Sequence, residues 1–409
     1  MSDTPGHELD AHEALAALRS ELAPIVERQR VDLAGATGRI LAADIVADLD
    51  LPAFANSAMD GYAVRAADCR SSNRLRVAGA AFAGHVYTGA LQAGTTIRIM
   101  TGAPLPTGAD AIAPQEDARR EGDLVWFAAN VTRGQFVRPR GEHVVAGEVV
   151  IAKGVTLRAA EIGLATAVGA THVDVYRALR VGVASTGDEL LDPPAPLSRV
   201  GSYDGNRRLI ALACQAAGFS VLDLGICPDR ADEFVHLIDR ARATSADALL
   251  VIGGSALGDA DVVRQAEAVR FLPLGIRPGR GITVGHFSGP AGRLELLGLP
   301  GNAVPAFVMF HLIVLPALLH LAGGMAKVPE HLAVPLAVDV ACRAGSVDYR
   351  RGRLERDPAG KLAVRPLDRQ GAGMLRTLVE ADVLIAAGPK PLYRAGEPIP
   401  VVPLASLPR

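Results

Sequence analysis

Residues 250–261 read LVIGGSALGDAD: an apolar run that suits a buried strand, then two glycines, one hydroxyl and two acids. A glycine-rich strand end serves either as a turn with a helix cap or as a cradle where backbone N–H groups approach an anion. The flanking text decides. From Leu179 the pattern alternates: VGVAS as strand, GNRRLIALACQAAG as a helix closed by Gly218, SVLDLGI as strand, ADEFVHLIDRARAT as helix, ADALLVIGG as strand. DADVVRQAEAV reads as the next helix, RLELLGLPG as strand and loop, and AVPAFVMFHLIVLPALLHL as the last helix. Such alternation predicts a doubly wound parallel α/β domain over residues 178–325.

Outside that block the periodicity changes. Leu15, Leu18, Leu22 and Ile25 recur at three- and four-residue steps, one apolar stripe of a helix. Residues 49–145 carry short strand-like pieces (LRVAGAAF, TTIRIM, DAIAPQ, LVWFAANV) separated by Gly, Asp or Asn, a β-rich module. The Ala-rich LRAAEIGLATAVGA then predicts a helix that returns beside the first one. Residues 1–48 and 146–177 would thus form a helical region split by the β-rich insertion. Residues 326–409 are Val/Pro/Arg-rich short runs, expected to form a C-terminal β-barrel-like domain.

Composition narrows the function. The 409 residues are 49% hydrophobic, enough for several cores. Lys and Arg number 42 against 44 acids, a net charge of −2, which argues against general nucleic-acid affinity. At 4% aromatic, a base-stacking platform is also disfavoured. Cys69, Cys214, Cys227 and Cys342 show no CxxC pairing and read as reduced thiols. The start, MSDTPGHELD, has no basic-then-apolar export pattern, so a cytoplasmic location is expected. Residues 306–324 are apolar enough to raise a membrane span, but the preceding alternation favours a helix buried on a sheet.

Ligands of open parallel sheets bind beyond the carboxyl ends of the strands. Four loops after predicted strands qualify: STGDE (185–189), GGSALGDAD (253–261), RPGR (277–280) and GLPGN (298–302), with SYDGN (202–206) leading into a helix. Each loop alone is more often a capped turn. Several at one edge point to a shared site. The acids Asp188, Glu189, Asp204, Asp259 and Asp261 would repel a phosphate unless Mg²⁺ lies between them. P-loop, GxGxxG, HExxH and GxSxG patterns are absent at the relevant junctions. PAFANSAMDGYAV (52–64) and IMTGAPLPTGADAI (99–112) each place polar groups in a turn, and taken singly are structural.

Together these segments resemble the molybdopterin molybdotransferases, the MoeA and gephyrin family: PAFANSAMDGYAV, IMTGAPLPTGADAI, RPRGEHVVAGEVV, STGDEL, SYDGNR, GGSALGDAD, RPGR and GLPGN occur in that family's order. The resemblance implies a homodimeric enzyme that inserts molybdate into adenylyl-molybdopterin, hydrolysing the adenylate with Mg²⁺ and releasing AMP. It implies catalytic roles for Asp60 and Thr101, contributed by a second copy, and for Glu189, Asp204 and Asp261, with Asp204 and Asp261 as metal ligands. Ser185, Thr186, Gly187, Asp188, Gly253, Gly254, Ser255, Gly258, Arg277, Arg280, Pro300, Gly301 and Asn302 would bind the pterin and its oxyanions. Partners implied are an upstream adenylyltransferase and recipient molybdoenzymes, with no nucleic acid or membrane. The sequence departs from the family at Ile252 and Ala256, where hydroxyls are usual, at Arg277 and Arg280, where lysines are usual, and at His143, where an acid is common. A non-catalytic molybdopterin-binding carrier, chaperone or regulator is the alternative that the first two departures raise.

Overall fold

The computed structural model describes residues 8–72, 74–128, 130–197, 199–253, 263, 269–289, 292–342, 345–357 and 359–404. The chain divides into two compact units: Met1–Gln29, Gly38–Ala42 and Val175–Arg409 make one, Arg30–Thr37 and Ala43–Asp174 the other.

The smaller unit is built on a six-stranded sheet in the order Ala111–Pro114, Gly61–Val64, Thr95–Ile99, Arg74–Ala81, Leu124–Phe127, Ala118–Glu121. Side chains alternate faces along a strand, and here both faces are covered. Tyr62 and Val64 pack with Leu75, Val125 and Phe127 on one side. Ala63 packs with Ile97, Ile99 and Ile112 on the other. Gly61 is required: a Cβ there would lie 2.1 Å from the Ala113 carbonyl oxygen.

The larger unit contains the expected α/β domain, with one difference. Its six-stranded sheet runs Ser220–Cys227, Arg180–Thr186, Ala248–Ile252, Gly292–Leu299, Gly281–Gly289, Val269–Pro273. The first four strands are parallel, and the inner strand Ala248–Ile252 is buried on both faces, as a parallel strand covered on both sides is. Gly281–Gly289 and Val269–Pro273 are antiparallel, so the sheet is mixed and not wholly parallel as expected. The cause is local: Gly281–Gly289 turns straight into Gly292–Leu299, leaving no room for the crossover helix that a parallel neighbour needs. The predicted helix in 259–269 lies almost wholly outside the described residues.

The last helix, Ala303–Leu321, has a mean hydropathy of 2.1 and is 72% buried within the protein. It is the only described helix long and apolar enough to cross a membrane, and it serves instead as the spine of the larger core. Pro316 has no N–H to give the preceding turn, and the segment just before it, Phe310–Val314, widens into a π-turn. The first helix, Ala11–Glu21, opens on a capping box made by Asp10 and Glu13. Its stripe of Ala14, Leu15 and Leu18, with Leu22, is buried in the same cluster as Leu312 and Leu321. Its apolar face is satisfied by the α/β core, and Ala159–Ala167 belongs to the smaller unit. Beyond the helix, a second sheet runs Ile276–Arg277, Val347–Arg356, Val383–Ala387, Pro398–Pro403, Leu332–Pro335, with Leu362–Pro366 paired to Val347–Arg356.

Candidate functional site

Register fixes where the loops emerge. Ser185 pairs with Ile252, and Ile252 with Leu299, so three adjacent parallel strands end level. Thr186, Gly253 and Pro300 then leave the sheet side by side. Gly253 has φ +93°, a left-handed conformation, and a Cβ on it would sit 2.8 Å from the Thr186 carbonyl oxygen and 2.9 Å from its Oγ1. Its N–H donates to the Leu299 carbonyl at 3.0 Å. A Cβ on Gly301 would meet the Gly253 Cα at 3.4 Å. Glycine is what lets these three turns pack as bare backbone. Among the described residues the buried Thr186 hydroxyl has no hydrogen-bond partner, an unmet polar group beside the cradle.

The SYDGN loop is tied to the same edge. Asn206 donates from Nδ2 to the Gly301 carbonyl at 2.7 Å. Asp204 caps the helix Gly205–Ala216, accepting from the Arg207 N–H at 3.1 Å and from the Ser185 hydroxyl at 3.1 Å. Its other oxygen accepts from Arg207 Nε at 2.9 Å. Both side chains are buried, at 1% and 7% exposure. Arg207 also donates to Asp192 and Asp223. Burial draws its guanidinium pKa down, but the bonds and charges of Asp204 and Asp223 prevail and the net shift is upward.

Asp188 and Glu189 lie exposed in the turn after Thr186. The Asp229 N–H donates to Asp188 Oδ1 at 3.1 Å. Burial, then the charges of Asp188 and Glu189, push the Asp229 carboxyl above its ordinary value, the mark of an acid-rich rim. The RPGR loop reaches the same edge by antiparallel pairing, since Thr283 faces Gly298. Gly279 abuts Pro305 and Met309 of the long helix. Arg277 donates to the Gly279 carbonyl at 3.1 Å and lies 3.7 Å from Glu8, while Arg280 is exposed. Asn302 caps the long helix and is exposed, as is Gly301.

The larger unit therefore brings together Ser185, Thr186, Gly187, Asp188, Glu189, Asp204, Gly253, Arg277, Arg280, Pro300, Gly301 and Asn302 at one sheet edge. Gly254, Ser255, Gly258 and Asp261 lie outside the described residues, as do Ala256 and Asp259. Asp60 and Thr101 belong to the smaller unit, where they form a pair: the Thr101 N–H and hydroxyl both donate to Asp60 Oδ1 at 2.7 Å. Those two bonds, the N–H first, hold the Asp60 carboxyl below its usual range, aided by the charge of Arg98. Asn206 and Arg207 were not among the expected site residues. For Arg207 the signal was present in SYDGNR: an Asp at an N-cap accepts from the backbone N–H three positions on.

Magnesium fits the described residues poorly. Among them no group of three or more His, Cys, Asp or Glu is placed to hold a metal ion. Both oxygens of Asp204, expected as a ligand, are already occupied by Ser185 and Arg207.

Similarity to known proteins matches this architecture. Three family profiles cover the chain in succession: the MoeA N-terminal region (domain I and II) over residues 9–169, a probable molybdopterin binding domain over 182–320, and the MoeA C-terminal region (domain IV) over 333–404. The molybdopterin molybdenumtransferase of Haemophilus influenzae is 33% identical over 383 residues, 92% of this chain and 94% of that one. Molybdopterin molybdenumtransferase 2 of Mycobacterium tuberculosis is 33% identical over 400 residues, 94% and 95% of the two chains. The crystal structure of a molybdopterin biosynthesis moeA protein from Pyrococcus horikoshii superposes with a TM-score of 0.79 at 26% identity, covering 97% of this chain and all of that one. Level strand ends, a bare-backbone cradle and full-length relatives together place this chain in the molybdopterin molybdenumtransferase family.

Proposed function

We propose that this protein is a molybdopterin molybdenumtransferase of molybdenum cofactor biosynthesis, acting on adenylyl-molybdopterin and molybdate. Molybdate enters the dithiolene, water cleaves the phosphoanhydride, and the products are molybdenum–molybdopterin and AMP. The observation that carries this reading is the close packing of Thr186, Gly253 and Gly301 as bare backbone at the carboxyl edge of the sheet, with a hydroxyl among them that is unmet among the described residues. A pterin phosphate there would give the Thr186 hydroxyl its missing partner. Arg277 and Arg280 would supply fixed positive charge for phosphate or molybdate oxygens; preorganised donors of this kind carry most of the rate in phosphoryl chemistry. Glu189 and Asp188 would orient the attacking water. Asp204 would act by holding the Ser185 and Asn206 loops in place. Asp60 and Thr101 would complete the site from a second copy of the chain in a cytoplasmic homodimer. Asp261 would supply the remaining acid, and any Mg²⁺ would be recruited there. The four-part layout, 1–48 with 146–177, 49–145, 178–325 and 326–409, is the arrangement this reading expects.

Purified protein incubated with adenylyl-molybdopterin, molybdate and Mg²⁺ should release AMP only when molybdate is present. Tight pterin binding without molybdate-dependent AMP release would refute the transferase and leave a carrier.

A further inference from the structure

The second sheet of the larger unit encloses an open cavity of about 720 Å³, a size typical of small-molecule sites. Its walls come from Val347–Arg356, Leu362–Pro366 and the segment running into Arg376–Glu380. Arg353 and Arg365 face each other directly as register partners on the antiparallel pair. Like charges so placed repel unless something neutralises them. Arg365 is answered by Glu355, at 2.8 Å, and Arg376 by Glu380, at 2.6 Å. Arg353 has no ion-pair partner among the described residues; its side chain donates to the Glu380 carbonyl at 3.5 Å. Arg369, also in the wall, has no ion-pair partner among the described residues. Two guanidiniums are therefore left open to an anion.

The rest of the wall is mixed: Asp368 and Thr377 are polar, while Leu367, Met374 and Leu375 form an apolar shelf, with Met374 and Leu375 42% and 37% exposed. Charge on one side and an apolar shelf on the other suit an amphipathic anion better than a bare oxyanion. The same segment adjoins the sheet-edge site: the Val304 N–H donates to the Ala372 carbonyl at 3.0 Å, and Leu375 Cδ2 lies 3.6 Å from a Cβ position on Gly205, next to Asp204.

We propose that this cavity is a nucleoside monophosphate site, with Arg353 and Arg369 holding the phosphate and Leu367, Met374 and Leu375 packing the base. Resting on the transferase reading, it would take the AMP released at the neighbouring edge, so that AMP is retained and inhibits.

The test is equilibrium binding of AMP to the full chain by calorimetry, alongside adenosine and inorganic phosphate. Wild type should bind AMP at least tenfold tighter than either fragment, with affinity falling as salt rises. The double variant R353E/R369E, at exposed positions that leave the core intact, should lose tenfold or more of AMP affinity. Unchanged AMP affinity in that variant, or a cavity that takes an acidic peptide and not AMP, overturns the proposal. R353Q/R369Q gives a second reading should the charge reversal perturb folding, and equal AMP affinity there overturns it too. These outcomes are separable from the transferase reading: absence of molybdate-dependent AMP release refutes that reading, whereas binding of added AMP needs no turnover.

Discussion

Asp204 and Asp60 sit in similar text, YDGN and MDGY, yet the two units treat them in opposite ways. Asp204 is sealed beneath Arg207, its oxygens divided between a helix N-terminus, a serine hydroxyl and a guanidinium. Asp60 is gripped by Thr101 through a single oxygen, and its other oxygen has no hydrogen-bond partner among the described residues. An acid in a glycine turn is thus not one thing. Where a cation and a helix end consume it, it organises loops; where two donors hold a single oxygen, the other is left unbonded among the described residues.

The largest effect that could break this contrast is on stability. Asp204→Ala removes an N-cap, worth about 1 kcal/mol, and leaves Arg207 buried with only the half-exposed Asp192 and Asp223. Breaking a buried pair costs about 3–5 kcal/mol. Urea unfolding should report a loss near that range, together with weakened pterin binding as the Ser185 and Asn206 loops loosen. Lost turnover at wild-type stability would instead make Asp204 a group that touches substrate.

Asp60→Asn should behave inversely. The urea midpoint should fall only slightly, by the contribution of its depressed carboxyl, while AMP release falls by about 10²–10³-fold, the scale of losing one charged participant in a preorganised site. A collapse of stability with normal turnover would erase the distinction between the two acids. Next in size is Gly253→Ala. Forcing a side chain into left-handed backbone against Thr186 should cost about 1–3 kcal/mol and weaken pterin binding more than Gly122→Ala, a left-handed turn glycine with open space around it.

These contrasts bear on what the sequence could disclose. The parallel strands were legible because burial on both faces leaves an uninterrupted apolar run, as in ALLVI and LELLGL. The antiparallel partner Gly281–Gly289 was not, because GITVGHFSG carries too many glycines and polar residues to announce a strand. The cradle glycines stood out as types, and their level register explains why they matter. The fate of Asp204 was hidden for a different reason. An Asp followed three residues later by Arg reads as an ion pair only once the helix start is known, and the second acceptor, Ser185, comes from another strand. Asp192 and Asp223, which complete the cage of Arg207, are likewise distant in sequence and close in space.

The smallest expected effect is the sharpest test of the exposed acid. Asp60 titrates below the ordinary carboxylate range because the Thr101 N–H and then its hydroxyl favour the ionised form. A depressed folded value stabilises the protein at pH above the unfolded value, and that contribution is lost as pH falls through the folded one. Thr101→Val keeps the N–H donor and the side-chain shape but deletes the hydroxyl donor. The Asp60 carboxyl should then rise part of the way toward its ordinary value, visible in a carbon-13 carboxyl titration. If turnover needs the ionised acid, the acid limb of the pH–rate profile should move to higher pH by the same amount. An acid limb that stays put while the carboxyl titration moves would show that Asp60 orients its neighbours without its charge entering the reaction.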